Sequence, residues 1–437
     1  EEEGADFLSS PTAEALQGEA ERRRKWITHM TLANDGYSDP PGIKVRAVPG
    51  LHGIDFLAQV SVAKAQSYVF SHVIKALIDF GYDYCTLDAC SYDWRLPPEK
   101  LQERDNYFGM MMRKIEAMTE HQGKKVVLLA HSMGNRVVQY FFRWVQMRRS
   151  KDWLDRNIHA FLAMGAPFLG SSKALRTVLC GDAMGLEVFL TKEEALLMAR
   201  VSSSLPWLFP VSERAYPDDI IRVHSEKNSE LPYSPQHFTD VLGQYVPRSR
   251  KFYETFYQEN PLYLYKEEGE SGLHPILEAP PVPRVWVING INRETEVGYY
   301  MRGGKSMMLD PNADKYSRQK KAGINPRGLL IREGIAYESS DTFQPSIKLN
   351  KSGDGTVPFC SLNYAETGWA NEIHVYTKEI EDAEHREMLA SEAILNAIIA
   401  FVSKTQKKII EKPESSDDKG LSSTTLSYLT KRQTTMG

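Results

Sequence analysis

A serine that attacks an ester carbonyl needs a base to take its proton and an acid to orient that base. The 437-residue sequence offers candidates for all three. Ser132 sits in Ala130–His131–Ser132–Met133–Gly134, after the apolar run Val126–Val127–Leu128–Leu129 and before a helical stretch from Asn135 to Arg149. That is the setting of a nucleophile elbow, a sharp strand-to-helix turn that holds a serine hydroxyl above a sheet. So tight a turn admits only small residues two before and two after the serine. Gly134 meets this demand, and Ala130 meets it where glycine is commoner. The helix that starts just after Ser132 brings the Met133 N–H toward any oxyanion formed there. The competing reading is a chance five-residue match. A strand before and a helix after weigh against it.

Where the nucleophile stands on such an elbow, the chain order is Ser, then Asp or Glu, then His. Two histidines, His374 and His385, lie near the C-terminus, where the base is expected. His374 falls inside a predicted strand and is assigned to packing or to an exposed face. His385 lies in the polar loop Glu381–Asp382–Ala383–Glu384–His385, before a helical stretch from Met388 to Val402, and is the candidate base. For the acid, Asp354 stands between two glycines in Ser352–Gly353–Asp354–Gly355–Thr356–Val357–Pro358. Flanking glycines permit a turn that aims the carboxylate inward. By itself the segment also reads as an ordinary surface turn. The acids that a calcium loop would add are missing at the required spacing.

The elements that must position these groups alternate between strand and helix. Ile43–Val48 alternates with period two and ends at Pro49–Gly50, which predicts a strand and a turn. Tyr68–Phe80 is predicted helical up to Gly81, and Glu99–Gln122 up to Gly123, through Leu101, Phe108, Met111, Ile115 and Met118. Val126–Leu129, Ile158–Met164, Val285–Ile288 and Glu372–Tyr376 read as strands of a mostly parallel sheet covered on both faces. This is the pattern of the α/β-hydrolase fold, expected over residues 41–404. Residues 1–40 are polar and carry no strand signal. Residues from about 172 to 283 are rich in Pro, Ser and Tyr with few strand signals, and are expected to form an inserted cap. Residues 405–437 are expected to be a disordered tail.

Bulk properties bound the function. A hydrophobic content of 42% suits a globular enzyme, and a net charge of −4 gives no electrostatic reason to expect a nucleic-acid partner. Arg22–Arg23–Arg24–Lys25 reads as a solvated helix face. Cys85, Cys90, Cys180 and Cys360 are too few for a disulfide scaffold and match no zinc spacing. One N-glycosylation pattern, Asn350–Lys351–Ser352, is expected by chance at this length. No apolar run reaches the roughly 20 residues that span a bilayer. The chain begins at Glu1 rather than at Met, with no signal-peptide pattern, and is read as a fragment that lacks its own N-terminus.

With these residues in place, the chain resembles the lecithin:cholesterol acyltransferase family, which includes phospholipid:sterol and phospholipid:diacylglycerol acyltransferases and the lysosomal phospholipase A. The likeness runs from about Pro41 to Val402. It is carried by Tyr92–Leu96 (YDWRL), Ala130–Asn135 (AHSMGN), Met164–Gly170 (MGAPFLG), Gly353–Pro358 (GDGTVP) and Glu384–Leu389 (EHREML). The wording of Asn135–Trp144 and Asp155–Ser171 is most similar to the plant-type phospholipid:sterol branch. The resemblance implies that Ser132 takes an acyl group from a phospholipid and that His385 activates an acceptor hydroxyl, of a sterol or a diacylglycerol. It implies no metal and no soluble cofactor, a membrane surface as partner, and location at an internal membrane such as the endoplasmic reticulum. It also implies a lipid pocket formed by the cap, with Ser202–Pro210 lining an acyl track, meeting the membrane, or simply buried. In the family a Pro-Gly loop near the N-terminus gives a second oxyanion N–H. Val48–Gly53 matches a later segment instead, so that donor is expected to be missing with the N-terminus. Two alternatives keep the same fold: a phospholipase in which water accepts the acyl group, and a non-catalytic lipid-binding protein.

Overall fold

The computed structural model describes residues 13–57, 67–149, 151–183, 190–210, 221–224, 230–233, 238–258, 260, 278–304, 306–317, 328–338 and 351–410. The chain divides into one unit of Glu1–Ala397 and a second of Ile398–Gly437. The first carries both sheets and the candidate site.

Ten strands are described. They are β1 (Val126–His131), β2 (Ile158–Met164), β3 (Ile221–His224), β4 (Glu230–Tyr233), β5 (Arg284–Ile291), β6 (Glu296–Arg302), β7 (Met308–Leu309), β8 (Leu330–Arg332), β9 (Ile335–Tyr337) and β10 (His374–Glu381). One sheet runs β1-β2-β5-β10 and is parallel throughout. Its inner strands are sealed: β2 and β5 are buried at nearly every position, as parallel strands covered on both faces must be. β10 lies at one edge and alternates between exposed and half-buried residues, and His374, its first residue, is exposed. β1 lies at the other edge. Its run Val126–Leu129, expected to be sealed on both faces, is only half-buried. An edge strand has a neighbour on one side alone, and that is the physical reason for the difference.

The Met133–Arg148 helix follows β1 and is buried on almost every face, from Asn135 through Val145. The helix therefore belongs to the core, with the buried Asn135 and Arg136 donating to the Met164 and Phe168 carbonyls. Phe108 of the Tyr107–Gln122 helix stacks on it, with ring centroids 5.1 Å from Tyr140 and 6.3 Å from Phe141. Together with β2 and β5 these side chains form the main hydrophobic core.

Several expectations need correction. Ile43–Val48 is not a strand: Asp39 Oδ2 accepts the Val45 N–H at 3.2 Å, and Arg46 pairs with Asp39 and Asp105. A side chain takes the main-chain donor that a neighbouring strand would have needed. Glu99–Gln122 is two helices, Pro98–Asp105 and Tyr107–Gln122, parted by Asn106 at φ 50. Asn is one of the few non-glycine residues that adopt this left-handed conformation readily. The helix predicted over Tyr68–Phe80 starts at Ser71.

The stretch 172–283 supplies the helices Ser172–Cys180, Lys192–Val201, Phe238–Tyr245 and Pro247–Tyr253, and also β3 and β4. These two strands join β6, β9 and β8 in a second sheet of order β4-β3-β6-β9-β8, with β7 on β6. Near the N-terminus, Ala13–Met30 is a helix on which Arg22, Arg24 and Lys25 are exposed while Ile27 is buried. At the other end, the Glu392–Ile410 helix extends past Lys404, and residues 411–437 lie outside the described residues. No helix among the described residues is long and apolar enough to cross a membrane.

Candidate active site

β1 ends at His131, and the chain turns directly into the next helix through Ser132 at φ 52, ψ −128. A side chain in that region costs about 1–3 kcal/mol, so the turn must be held from outside. Several bonds hold it. The Ser132 N–H donates to Met164 O at 3.1 Å, and the Asn135 N–H donates to Ser132 O at 3.0 Å. Asn135 Nδ2 donates to both Ser132 O and Met164 O at 2.9 Å. The small residues do as required: a Cβ on Gly134 would already touch Ala130 Cβ at 3.6 Å. Met133 is the first helical residue, and its N–H is among those with no acceptor within the helix.

Asp354 is fully buried. Its Oδ1 accepts the N–H groups of Thr356 at 3.0 Å and Val357 at 2.8 Å, which makes the surrounding segment a tight turn. The turn is stapled to the chain beyond β5. Gly355 donates its N–H to Thr295 Oγ1 at 2.8 Å, the Thr295 N–H donates to Ser352 Oγ at 3.0 Å, and Arg293 N–H donates to Gly353 O at 3.0 Å. Ser352 of the glycosylation pattern is therefore buried, while Asn350 lies outside the described residues.

His385 joins the two. Its Nδ1 is 2.7 Å from Asp354 Oδ2 and its Nε2 is 2.8 Å from Ser132 Oγ. A carboxylate only accepts, so Nδ1 carries the proton and Nε2 is free to receive that of the serine. Burial pushes the His385 pKa down, but Asp354 and then Glu384 outweigh it, against a smaller opposing effect of Lys173, and the pKa lies above its ordinary value. Such a chain of bonds can activate a hydroxyl for attack on an ester and then return the proton to the leaving alcohol.

Two glycines that sequence reasoning passed over make room for this contact. Gly165, at φ 50 just after β2, would place a Cβ 3.1 Å from His385 Nδ1 and 3.3 Å from Asp354 Oδ2. A Cβ on Gly290 of β5 would collide with the Ala383 carbonyl and stand 3.1 Å from Asp354 Cβ. Gly165 stood in the sequence as part of Met164–Gly170 directly after one predicted strand, and Gly290 lay two residues beyond another.

Within YDWRL, Asp93 and Arg95 form a buried ion cluster. Arg95, 1% exposed, donates from Nε and Nη2 to the two carboxylate oxygens of Asp93 at 2.8 and 2.7 Å, and from Nη2 to Asp39 at 2.9 Å. Ser203 and Ser204 donate to the Arg95 and Trp94 carbonyls, which binds Ser202–Pro210 to this cluster. Pro206, Trp207, Leu208 and Phe209 are buried, so the segment packs internally.

A cavity of about 370 Å³ lined by Pro280–Pro283 and Ala370–His374 lies at the amino ends of β5 and β10, away from the serine. Among the described residues no group of three His, Cys, Asp or Glu side chains is placed to hold a metal ion.

The family model of lecithin:cholesterol acyltransferase matches residues 17–392. The chain belongs to the lecithin:cholesterol acyltransferase family. Among its relatives is the phospholipid–sterol O-acyltransferase of Arabidopsis thaliana, 27% identical over 408 residues, which cover 80% of this chain and 62% of the relative. The phospholipid:diacylglycerol acyltransferase of Schizosaccharomyces pombe is 26% identical over 380 residues, covering 77% and 56%. The phosphatidylcholine-sterol acyltransferase of Mus musculus is 27% identical over 284 residues, covering 63% and 57%. The chain thus spans less than two thirds of the length of these curated relatives. As a member of the family it has the α/β-hydrolase fold, here reduced to four parallel strands among the described residues.

Proposed function

We propose that this family member is a serine-dependent O-acyltransferase that moves a fatty acyl group from a phospholipid to a lipid hydroxyl. The observation that carries the reading is the unbroken chain from Ser132 Oγ to His385 at 2.8 Å and on to the buried Asp354 at 2.7 Å. Ser132 Oγ attacks the acyl carbonyl as its proton passes to His385 Nε2. Asp354 stabilises the imidazolium, and the Met133 N–H donates to the oxyanion. The imidazolium protonates the departing lysophospholipid oxygen, which leaves an ester on Ser132. An acceptor hydroxyl then gives its proton to His385 Nε2 as its oxygen attacks that ester, and Ser132 leaves with the proton returned.

A sterol is the favoured acceptor, from the likeness to the phospholipid:sterol branch; diacylglycerol acyltransferases match almost as well. Because donor and acceptor are both lipids, the reading takes a membrane surface as its partner and the endoplasmic reticulum or another internal membrane as its place. The test incubates the full-length protein with phospholipid labelled in the acyl chain, together with sterol or diacylglycerol. Labelled sterol ester or triacylglycerol, lost in Ser132→Ala, is the expected result. Labelled free fatty acid as the sole product would instead make the protein a phospholipase. A wild-type protein with neither product, and with Ser132 inert to a fluorophosphonate, would leave a lipid-binding protein.

A further inference from the structure

His131 is used by none of the steps above, yet it is bound to the base. It ends β1, pairs in register with Met164 of β2, and immediately precedes Ser132. Its Nε2 lies 2.8 Å from the His385 main-chain oxygen. A carbonyl only accepts, so the His131 Nε2 must carry the proton and donate it. The two imidazoles also face each other, with centroids 4.7 Å apart and planes 40° apart, and Phe70 meets the His131 ring edge-on at 6.4 Å. Burial first, and then the adjacent His385, push the His131 pKa down to about 3. The ring therefore stays neutral even when His385 takes up a proton during turnover, and it adds no positive charge beside the imidazolium.

The loop that carries the base is short and polar. Asp382 at its start has φ 61 and donates its N–H to Ile291 O at 2.9 Å. The His385 N–H donates to Asp354 O at 2.9 Å. Those two bonds tie the loop to β5 and to the acid turn. The bond from His131 ties it to the strand that carries the nucleophile. The anchor is the chain neighbour of Ser132, so the Ser132–His385 distance is set over a very short path.

We propose that His131 is a positioning residue for the base, holding the His385 main chain against the nucleophile strand through its Nε2–H. This rests on the reading of Ser132, His385 and Asp354 as a triad. A ring at this place would also serve packing alone, against Phe70 and His385, and two variants separate the roles. His131→Phe keeps a ring and loses the donor. His131→Gln loses the ring but carries an amide N–H close to where Nε2 stood.

The readout is the rate at which a fluorophosphonate probe labels the full chain, over a range of probe concentrations, together with the thermal midpoint of each variant. His131→Phe is expected to lower the maximal labelling rate by about 10- to 100-fold, since misplacing reacting groups by up to an ångström costs about that much. The half-saturating probe concentration is expected to stay put, because the proposed bond acts on the base and not on the probe. His131→Gln is expected to recover most of the rate. In selectively labelled protein, the His131 ring proton is expected on Nε2 in the nitrogen spectrum. Wild-type labelling that is abolished by Ser132→Ala but unchanged by His131→Phe overturns the proposal and leaves the triad standing. So does Gln being as slow as Phe, a loss confined to half-saturation, or a ring proton on Nδ1.

Discussion

Replacing Gly165 by alanine tests whether the close fit around the base is part of the chemistry. The new Cβ would stand 3.1 Å from His385 Nδ1 and 3.3 Å from Asp354 Oδ2, beside a hydrogen bond of 2.7 Å. Neither neighbour is free to move far. Asp354 holds two further main-chain bonds through Oδ1, and His385 reaches Ser132 with its other nitrogen. A yield of a few tenths of an ångström must therefore come out of the triad. Scaled from roughly 100-fold per ångström, the maximal rate of acylation of Ser132 should fall about tenfold. Gly165 also has φ 50, where an alanine costs about 1–2 kcal/mol in stability whatever surrounds it. Gly123→Ala is the control, because Gly123 has φ 61 at a helix end with nothing within 4 Å of its Cβ position. Both variants should lose similar stability in urea unfolding, and Gly165→Ala alone should slow fluorophosphonate labelling. If Gly165→Ala labels as fast as Gly123→Ala, the glycine serves only the backbone and the steric reasoning is refuted.

Four further outcomes follow from contacts already described. Ser132→Gly should be about 1–2 kcal/mol more stable than Ser132→Ala by chemical unfolding, because only glycine is released from the strain of φ 52, ψ −128, while both lose labelling. Arg95→Met should cost about 1–3 kcal/mol in unfolding free energy, because Asp93 and Asp39 lose the buried guanidinium they share while Asp93 keeps Arg104 and Asp39 keeps Arg46. Acylation should rise with pH as His385 loses its proton, with a midpoint above the ordinary 6.5, and Asp354→Asn should move that midpoint down. The linkage runs the other way for stability. A raised folded pKa means that the His385–Asp354 pair contributes fully below the unfolded pKa and that its contribution is lost as pH rises through the folded one. The stability difference between wild type and Asp354→Asn should therefore shrink between mildly acidic and alkaline pH.

The three residues of the candidate site, which the structure brings together, were legible because each sits in a local context with strict demands. Ser132 needs small neighbours between a strand and a helix, Asp354 needs glycines around it, and His385 needs a loop after the last strand. Gly165 and Gly290 were not legible as site residues, since what they clear is brought to them from His385 and Asp354, far along the chain. The second sheet escaped for another reason. β3, β4, β7, β8 and β9 have two to four residues each, too few to show a period, and β6 is buried at all but its last position, so it shows no alternation. The break at Asn106 was hidden because the step from Leu101 to Phe108 keeps helical phase across it. Ile43–Val48 had a strand's alternation, and nothing in that pattern shows Asp39 taking the Val45 N–H.

The route by which the acid arrives shows how the fold tolerates so long a detour. Between β5 and Asp354 the chain leaves the parallel sheet to build β6, β7, β8 and β9. Both ends of that excursion are fastened to each other before the acid turn begins: Arg293 bonds Gly353, and Thr295 bonds both Ser352 and Gly355. The carboxylate is thus registered to the carboxyl end of β5, whatever the second sheet does in between. The same end of the sheet carries Ser132 beyond β1 and His385 beyond β10, because all four strands run one way. Parallel register is therefore what lets three distant loops meet at one end, and the hydrogen bonds among their main chains bring them within reach of proton transfer.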